Sequence, residues 1–520
     1  MTIAAVQEKK EKNIMTNTFI KELENMYNTK KTENSAVALK STLSKVYDMF
    51  AFGGAYRNRS DEDVIKLFKD AYEENPELAL KCLFYLGDIR GGQGERRFFD
   101  VCFKWLCQYN PVVAECLIPL IAEYRRWDEV VKTTYDTPCW NVAVNIIKNQ
   151  LYFDIKDNNV SLCAKWMPSE NGSSKETKKL AAQLRTDLGI TAKQYRKMLS
   201  HLRAKIKLVE SQMSQNRWNE IEFDKLPSKA GFKYRAAFAR NPETAGKYRD
   251  FINSKKTKVN AGTLYPYEIV RKARAYSYFS NNNEVITLDK YWNNLKDYFN
   301  GADNSIMCVC DFSGSMAWGN KDILPIDVSL SLGLYTAERM SGPFKNCFIS
   351  FSNHPQFHKV RGNTIVEKVN TALQTAEYAN TNLPAVFDLF YNMIEDGRAN
   401  SDDLPKTLVI ISDMEIDNGS TFRSKSEART TMDQIAVKWA KAGLRFPNIV
   451  YWNCNARNNT ILQEPSSRIT YVSGCSPAIF TQVLAGKNGI DLMLDTIDNN
   501  PRYEPIRNAY IRAITSSHEF

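Results

Sequence analysis

Asp311-Phe312-Ser313-Gly314-Ser315 sets three oxygen-bearing side chains at positions i, i+2 and i+4. An apolar run, Ile306 to Cys310, leads into it, and a helix is expected from about Ile323 to Met340. Carboxylate and hydroxyl oxygens gathered where a strand passes into a helix suit a hard divalent cation such as Mg²⁺. The carboxyl edge of a parallel sheet is also where open α/β folds place their ligands. Gly314 is expected to relax the turn. Two further residues belong at the same edge. Thr381 precedes a helix beginning near Pro384, and Asp413 ends the apolar strand Leu408 to Ile411. Cys308 and Cys310 alternate within the first strand and read as small hydrophobes. Eleven cysteines without a CxxC pair, and only four histidines (His201, His354, His358, His518), speak against a zinc site or a disulfide framework.

The elements that must position these residues begin near Asn304. Strands are expected at 306–310, 346–351, 407–411, 448–452 and 469–472, alternating with helices near 323–340, 383–396, 429–442 and 476–485. Such alternation with apolar strands indicates a doubly wound, mostly parallel sheet over residues 301–500.

Upstream the texture differs. Residues 1–34 read as a flexible leader, charged and without periodicity. From Ser35 to about residue 300 the pattern is helical. Asp61-Glu62-Asp63 resembles a first helical turn, followed by an apolar stripe at Val64, Leu67, Phe68 and Ala71. Helices of this kind joined by short loops read as an α-solenoid of the HEAT type. The tail, 501–520, is expected to return to this helical module. No apolar run approaches the ~18 residues of a membrane span, and no secretory signal opens the chain, so the cytoplasm is the expected location.

Charge is unevenly spread. Lys175 to Arg274 carries 24 Lys/Arg against 9 Asp/Glu, a net of +15, whereas Gly301 to Phe520 carries 20 against 23, a net of −3. A concentrated excess of that size predicts a polyanionic partner, most simply nucleic acid. The same segment interleaves its cations with Tyr195, Trp218 and Tyr234, the composition of a surface that meets phosphates and unstacked bases. The alternatives are a solvated set of Lys-rich helices, with the aromatic side chains on their core faces.

Order, spacing and context together make Asp311, Ser313, Ser315, Thr381 and Asp413 resemble the metal-ion-dependent adhesion site of the von Willebrand factor A domain, a Rossmann-like α/β fold. The resemblance implies that Ser313 and Ser315 ligate Mg²⁺ or another divalent cation directly. It places Asp311 and Asp413 close by, often through water, with Thr381 direct or water-mediated. One position stays open for an acidic residue of a partner protein. Members of that family often have Asp-Gly after the strand, where this chain has Asp413-Met414 following Leu408 to Ile411. The helical half resembles the TROVE module of Ro-type ribonucleoproteins. The residues that carry this are Asp88 to Arg97 (DIRGGQGERR), Tyr124 to Asp128 (YRRWD), Ala164 to Pro168 (AKWMP), Tyr195 to Leu199, Arg217 to Ile221 and Pro227 to Ala230. A branch of similar proteins in plants, phages and large viruses joins such a module to a C-terminal A domain. The resemblance implies a helical ring whose ends meet the A domain and whose hole admits single-stranded RNA.

The expected function is therefore non-enzymatic binding of small or misfolded RNA. Lys193, Arg196, Lys197, Arg203, Lys205, Lys229, Lys233 and Arg235 are the first candidates for phosphate contacts, with Arg90, Arg96 and Arg97 second. The alternative is a protein-interaction scaffold acting through the metal site without RNA. A metal-dependent nuclease fits poorly, because such sites gather several carboxylates around two metals, and here hydroxyls outnumber carboxylates.

Overall fold

The computed structural model describes residues 27–276, 282–301, 305–318, 323–374, 376–418 and 430–516. Most of the expected leader lies outside these residues. Its last part does not read as flexible chain, because Thr29–Lys31 (β1) pairs antiparallel with Val37–Leu39 (β2), with Lys30 opposite Ala38. The helical pattern thus begins after Ser35, at Lys45. Leu39 and Ile461 exchange backbone hydrogen bonds of 2.7 and 3.0 Å, and Val37 N donates to Thr431 Oγ1 at 2.9 Å. Partners more than 390 residues away hold this segment extended, and no local pattern reports them.

Capping chemistry sets the helix starts. In α1 (Lys45–Phe52), α2 (Asp61–Glu74) and α3 (Pro76–Gly87), the preceding Ser44, Ser60 and Asn75 each accept a backbone N–H of the first turn. The acidic first turn of α2 lies at the positive end of its dipole, and its expected stripe, Val64, Leu67, Phe68 and Ala71, is buried. Next come α4 (Arg96–Tyr109), α5 (Pro111–Tyr124), α6 (Trp127–Thr134) and α7 (Trp140–Lys156). The chain continues through α8 (Cys163–Trp166), α9 (Lys175–Asp187), α10 (Ala192–Lys205) and α11 (Val209–Ser214). The module ends with α12 (Ser228–Arg240), α13 (Ala245–Asn253), α14 (Pro266–Arg274) and α15 (Asn282–Asn293). Neighbours in sequence pack as neighbours in space: α4 on α5 and α6, α7 on α5 and α6, and α12 on α13.

The α/β domain is a six-stranded mixed sheet in the order β5-β4-β3-β6-β7-β8. Its strands are β3 (Ile306–Asp311), β4 (Cys347–Phe351), β5 (Gln356–Lys359), β6 (Thr407–Ser412), β7 (Asn448–Asn453) and β8 (Ile469–Ser473). All neighbours are parallel except β5, which pairs antiparallel with β4 and was not expected from the sequence. Phe357 and Lys359 are exposed, Gln356 is half-buried and only His358 is buried, so the strand's apolar pattern is weak. Between strands run α16 (Pro325–Arg339), α17 (Ile365–Leu373), α18 (Pro384–Glu395) and α19 (Thr431–Lys441), and after β8 come α20 (Phe480–Leu484) and α21 (Gly489–Ile497). The stretch expected as one helix over 476–485 is a 3-10 turn, Pro477–Ile479, running into α20. Helix α16 is buried from Pro325 to Ala337, between β3 and α14, which explains why polar residues such as Ser329 and Thr336 occur on it without solvent.

Both ends of the helical module meet this domain. At the first end Tyr47 Oη accepts from Tyr471 N at 3.0 Å and Gly54 N donates to Ser473 Oγ at 3.0 Å. At the other end Arg274 pairs with Asp327 at 3.1 Å, and Asp289 accepts from Ile365 N at 3.0 Å. The last helix, α22 (Glu504–Ser516), then packs back on α3 and α5.

The loop after α3 sits at this closure. Gly92 abuts Tyr85 O so closely that a Cβ there would lie 1.8 Å from it, and Gly94, at φ +63°, lies under the Tyr265 hydroxyl. Gln93 bridges Tyr85 Oη (2.8 Å) and Ser476 N (3.1 Å), joining α3 to the segment after β8.

Candidate functional site

Two places in the molecule concentrate chemistry. The first is the carboxyl edge of the sheet, where parallel strands deliver Asp311 from β3 and Asp413 from just past β6. Asp311 accepts from Ser313 N (2.8 Å) and from Ser412 Oγ (2.5 Å), and the Ser313 and Ser315 hydroxyls stand 3.2 Å apart. Gly314 N donates to Ala379 O at 3.0 Å, which presses the loop carrying Thr381 against the motif. Gly314 does not take a left-handed conformation, and a Cβ there would stand 3.4 Å from Tyr378 O, an ordinary contact, so the turn does not require a glycine as the sequence suggested. Asp311, Asp413, Ser313 and Thr381 are all buried, and Ser315 is half-buried beside the exposed Trp318. Burial, with Asp413 second, pushes the Asp311 carboxyl up to about 7.

The donors here are hard oxygens with two hydroxyls close enough to share one cation, around the buried Asp311 carboxylate, which makes no ion pair among the described residues. That set fits a divalent cation on the Asp311–Ser313–Ser315 side. Among the described residues no three His, Cys, Asp or Glu side chains cluster as ligands, so a cation here relies on the serines. Asp413 is already engaged: Arg457 sets Nη2 2.9 Å and Nε 3.1 Å from its Oδ2. Met414 follows at φ +67° with its side chain fully buried, a left-handed position that favours glycine.

The second place is an open cavity of ≈ 1900 Å³ in the helical module, lined from the loop after α3 round to the approach to α14. Its lining carries twelve Lys/Arg against four Asp/Glu. Several cations are only loosely neutralised. Lys132 pairs with Asp128 (2.9 Å), Arg217 with Glu220 (3.1 Å) and Lys225 with Glu222 (2.9 Å), all with substantial exposure of the basic partner. Such pairs are worth ~0–1 kcal/mol, so an incoming phosphate can replace the carboxylate at little cost. Trp166, half-buried, lies among these cations with the Arg126 guanidinium over its ring 4.1 Å from the centroid and Lys165 Nζ 5.4 Å away.

One domain of unknown function, DUF7788, matches residues 304–505, and another, DUF2828, matches residues 32–151 and 170–300. The two models meet at the passage into β3. The chain is similar to the uncharacterized protein L728 of Acanthamoeba polyphaga mimivirus, 28% identical over 522 residues, covering 91% of this chain and 88% of that one. Among solved structures, the Ro (RSR) protein of Deinococcus radiodurans aligns with a TM-score of 0.41 at 13% identity, over 86% of this chain and 99% of that one.

All five residues of the expected metal motif lie at one sheet edge. The expected phosphate-contacting residues divide. Arg90, Arg203, Lys229 and Lys233 line the cavity. Arg203 also donates to Ala164 O and Met167 O, both at 2.9 Å, so it holds α8 in place. Lys193, Arg196 and Lys197 stand exposed on α10, outside the cavity, with Arg196 on Glu170 (3.1 Å). Lys205 bonds Ile155 O and Asp157 O, and Arg235 is buried on Glu284 at 2.7 Å. Arg96 pairs with Glu129 (2.9 Å) and Arg97 with Asp61, so both serve helix packing. The cavity adds Lys132, Lys165, Lys207, Lys225 and Lys247, which composition could not single out. Arg457 was also missed, although it lies in the polar run directly after an apolar strand, the position that marks this edge.

Proposed function

We propose that this chain is a non-enzymatic, cytoplasmic RNA-binding protein. In this reading a HEAT-like helical module takes a single-stranded end or small structured RNA at its cation-lined cavity. The α/β domain is read as a von Willebrand factor A domain in which Asp311, Ser313, Ser315, Thr381 and Asp413 hold Mg²⁺. The observation that carries the reading is the cavity's excess of twelve basic over four acidic residues, beside an aromatic face. Cations meet phosphates, and Trp166 meets a base. When bound, a divalent cation would supply a Lewis-acidic point for one more oxygen ligand, while Asp311 and the serine hydroxyls fix its position.

Fluorescence anisotropy with a single-stranded oligoribonucleotide tests the proposal. Affinity is expected to fall steeply between low and high salt, and Lys165→Glu with Lys207→Glu to weaken it by about tenfold or more. Affinity indifferent to both would sink the RNA reading.

A second reading, an interaction scaffold, is favoured by one feature: Trp318, 78% exposed, stands beside Ser315 at the metal edge. Pull-down lost on Asp311→Ala, from a chain that binds no RNA, would select it. No described helix is long and apolar enough to cross a membrane.

A further inference from the structure

The tip of the β1–β2 hairpin lies on the sheet edge that carries the metal motif. Glu33 N donates to Glu415 Oε2 at 2.7 Å, Thr32 Oγ1 to Ile416 O at 2.7 Å, and Asn34 Nδ2 to Glu415 O at 2.7 Å. Asn34 Nδ2 also stands 3.4 Å from the Thr381 hydroxyl. The Glu33 carboxylate is read by two side chains: Arg457 Nη1 at 2.6 Å and Asn458 Nδ2 at 3.0 Å. The same guanidinium holds Asp413. A single arginine therefore bridges a carboxylate of the motif and a carboxylate that begins nearly 380 residues earlier.

Burial agrees with a built contact. Asp413 and Glu415 are at most 1% exposed, and Thr381 is 2% exposed. Glu415 is satisfied from both sides, by Glu33 N and by Thr460 Oγ1 at 2.6 Å. Around the tip, the hairpin is continued into the domain by Lys30 Nζ on Thr460 Oγ1 (2.9 Å) and by the Leu39–Ile461 pairing.

We infer that this edge recognises an acidic segment supplied by the chain itself: the hairpin tip Thr32–Asn34, with Glu33 as the acid and Arg457–Asn458 as the groups that read it. An outside acidic partner must displace this tip before it can reach Thr381 or Asp413. The side that remains open is the one at Ser315 and Trp318. The inference stands on hydrogen bonds and burial, and it does not depend on whether a cation is bound or RNA is taken up.

Hydrogen–deuterium exchange of the full chain reads the contact directly. Peptides spanning 29–39 are expected to be protected in the wild type. In Glu33→Ala/Asn34→Ala, and separately in Arg457→Ala, they should exchange at least about tenfold faster while 407–412 keeps its protection. Arg457→Lys, which keeps the charge, should fall between. Unchanged protection over 29–39 in the tip variant would overturn the assignment, and because that variant alters a loop tip alone it leaves the fold intact. A fluorescent penta-glutamate peptide gives an independent arm. It should bind the tip variant and not the wild type, and lose binding again when Arg457→Ala is added; equal binding to wild type and tip variant would also overturn it. Calorimetry with Mg²⁺ keeps the cation separate: a chain that takes up no Mg²⁺ yet shows the exchange difference supports the hairpin assignment and retires the metal.

Discussion

Asp88, fully buried in the loop after α3, is held by Arg502, whose Nη2 lies 2.9 Å from its Oδ1. Tyr503 Oη donates to the same carboxylate at 3.2 Å. The pair ties the helical module to the segment that leaves the α/β domain, and each partner has a different exit. Arg502 keeps partial access to solvent, whereas Asp88 has none. Arg502→Ala is therefore expected to cost about 3 kcal/mol, because it strands a buried carboxylate, and Asp88→Asn to cost less. Urea denaturation of both variants checks the order; the reverse order would mean the guanidinium, not the carboxylate, is the costly group to leave unpaired.

Lys233 and Arg235 lie two residues apart on α12 and face different surroundings. Lys233 is exposed on the cavity wall, while Arg235 is buried on Glu284. Lys233→Glu should weaken binding of an oligoribonucleotide and reduce the slope of log affinity against log salt by about one, with little change in stability. Arg235→Ala should lower the unfolding free energy by about 3 kcal/mol and leave the affinity of the folded fraction intact. Anisotropy and denaturation measured on the same preparations separate the two.

If Ser313 and Ser315 hold a cation, Mg²⁺ stabilises the folded chain by mass action, by about 2.7 kcal/mol at a concentration 100 times the dissociation constant. Thermal unfolding with and without Mg²⁺ should show an upward shift that Ser313→Ala/Ser315→Ala removes. Asp311→Ala should remove it too while sparing RNA affinity. A shift that survives the double serine change would place the cation elsewhere.

His358 on β5 stacks on Phe348, centroids 4.5 Å apart, and has Ser350 Oγ 2.6 Å from Nε2. Burial pushes its pKa down from 6.5 to about 4. The folded state thus prefers the neutral ring, so below pH 6.5 the unfolded state binds the extra proton. Stability from this residue is present above 6.5, is lost as pH falls towards 4, and changes no further below that. The wild type should lose about 3 kcal/mol more than His358→Gln over that window. Comparing the two chains matters, because Asp100 and Asp327, both pushed up to about 6 chiefly by burial, act in the opposite direction. Parallel pH profiles for the two chains would show that the ring titrates normally.

Much of this was legible from particular residues. The strand Ile306–Asp311 could be read because its first five residues, Ile306 to Cys310, form an uninterrupted apolar run that is wholly buried, and a strand so buried has few alternatives. Helix α2 could be read because its cap, its acidic first turn and its stripe agree. The strand Val37–Leu39 could not: three residues carry no period, and their partners lie across the fold. Met414 could be noted as a departure from glycine, but its left-handed backbone needed the fold to be seen.

Sequence by itself determined the order of a basic helical half and a mildly acidic α/β half, and it singled out the five oxygen-bearing side chains of the motif. Those properties follow from local periodicity, local composition and short spacing, all of which survive in one dimension. Tertiary structure alone decided which cations face the cavity and which are consumed in packing, as Lys233 and Arg235 show. It alone brought Glu33, Arg457 and Asp413 into one hydrogen-bonded row. Charge is a property of a residue, but its availability depends on the partners that burial brings within about 3 Å, and those partners are set by the path of the whole chain.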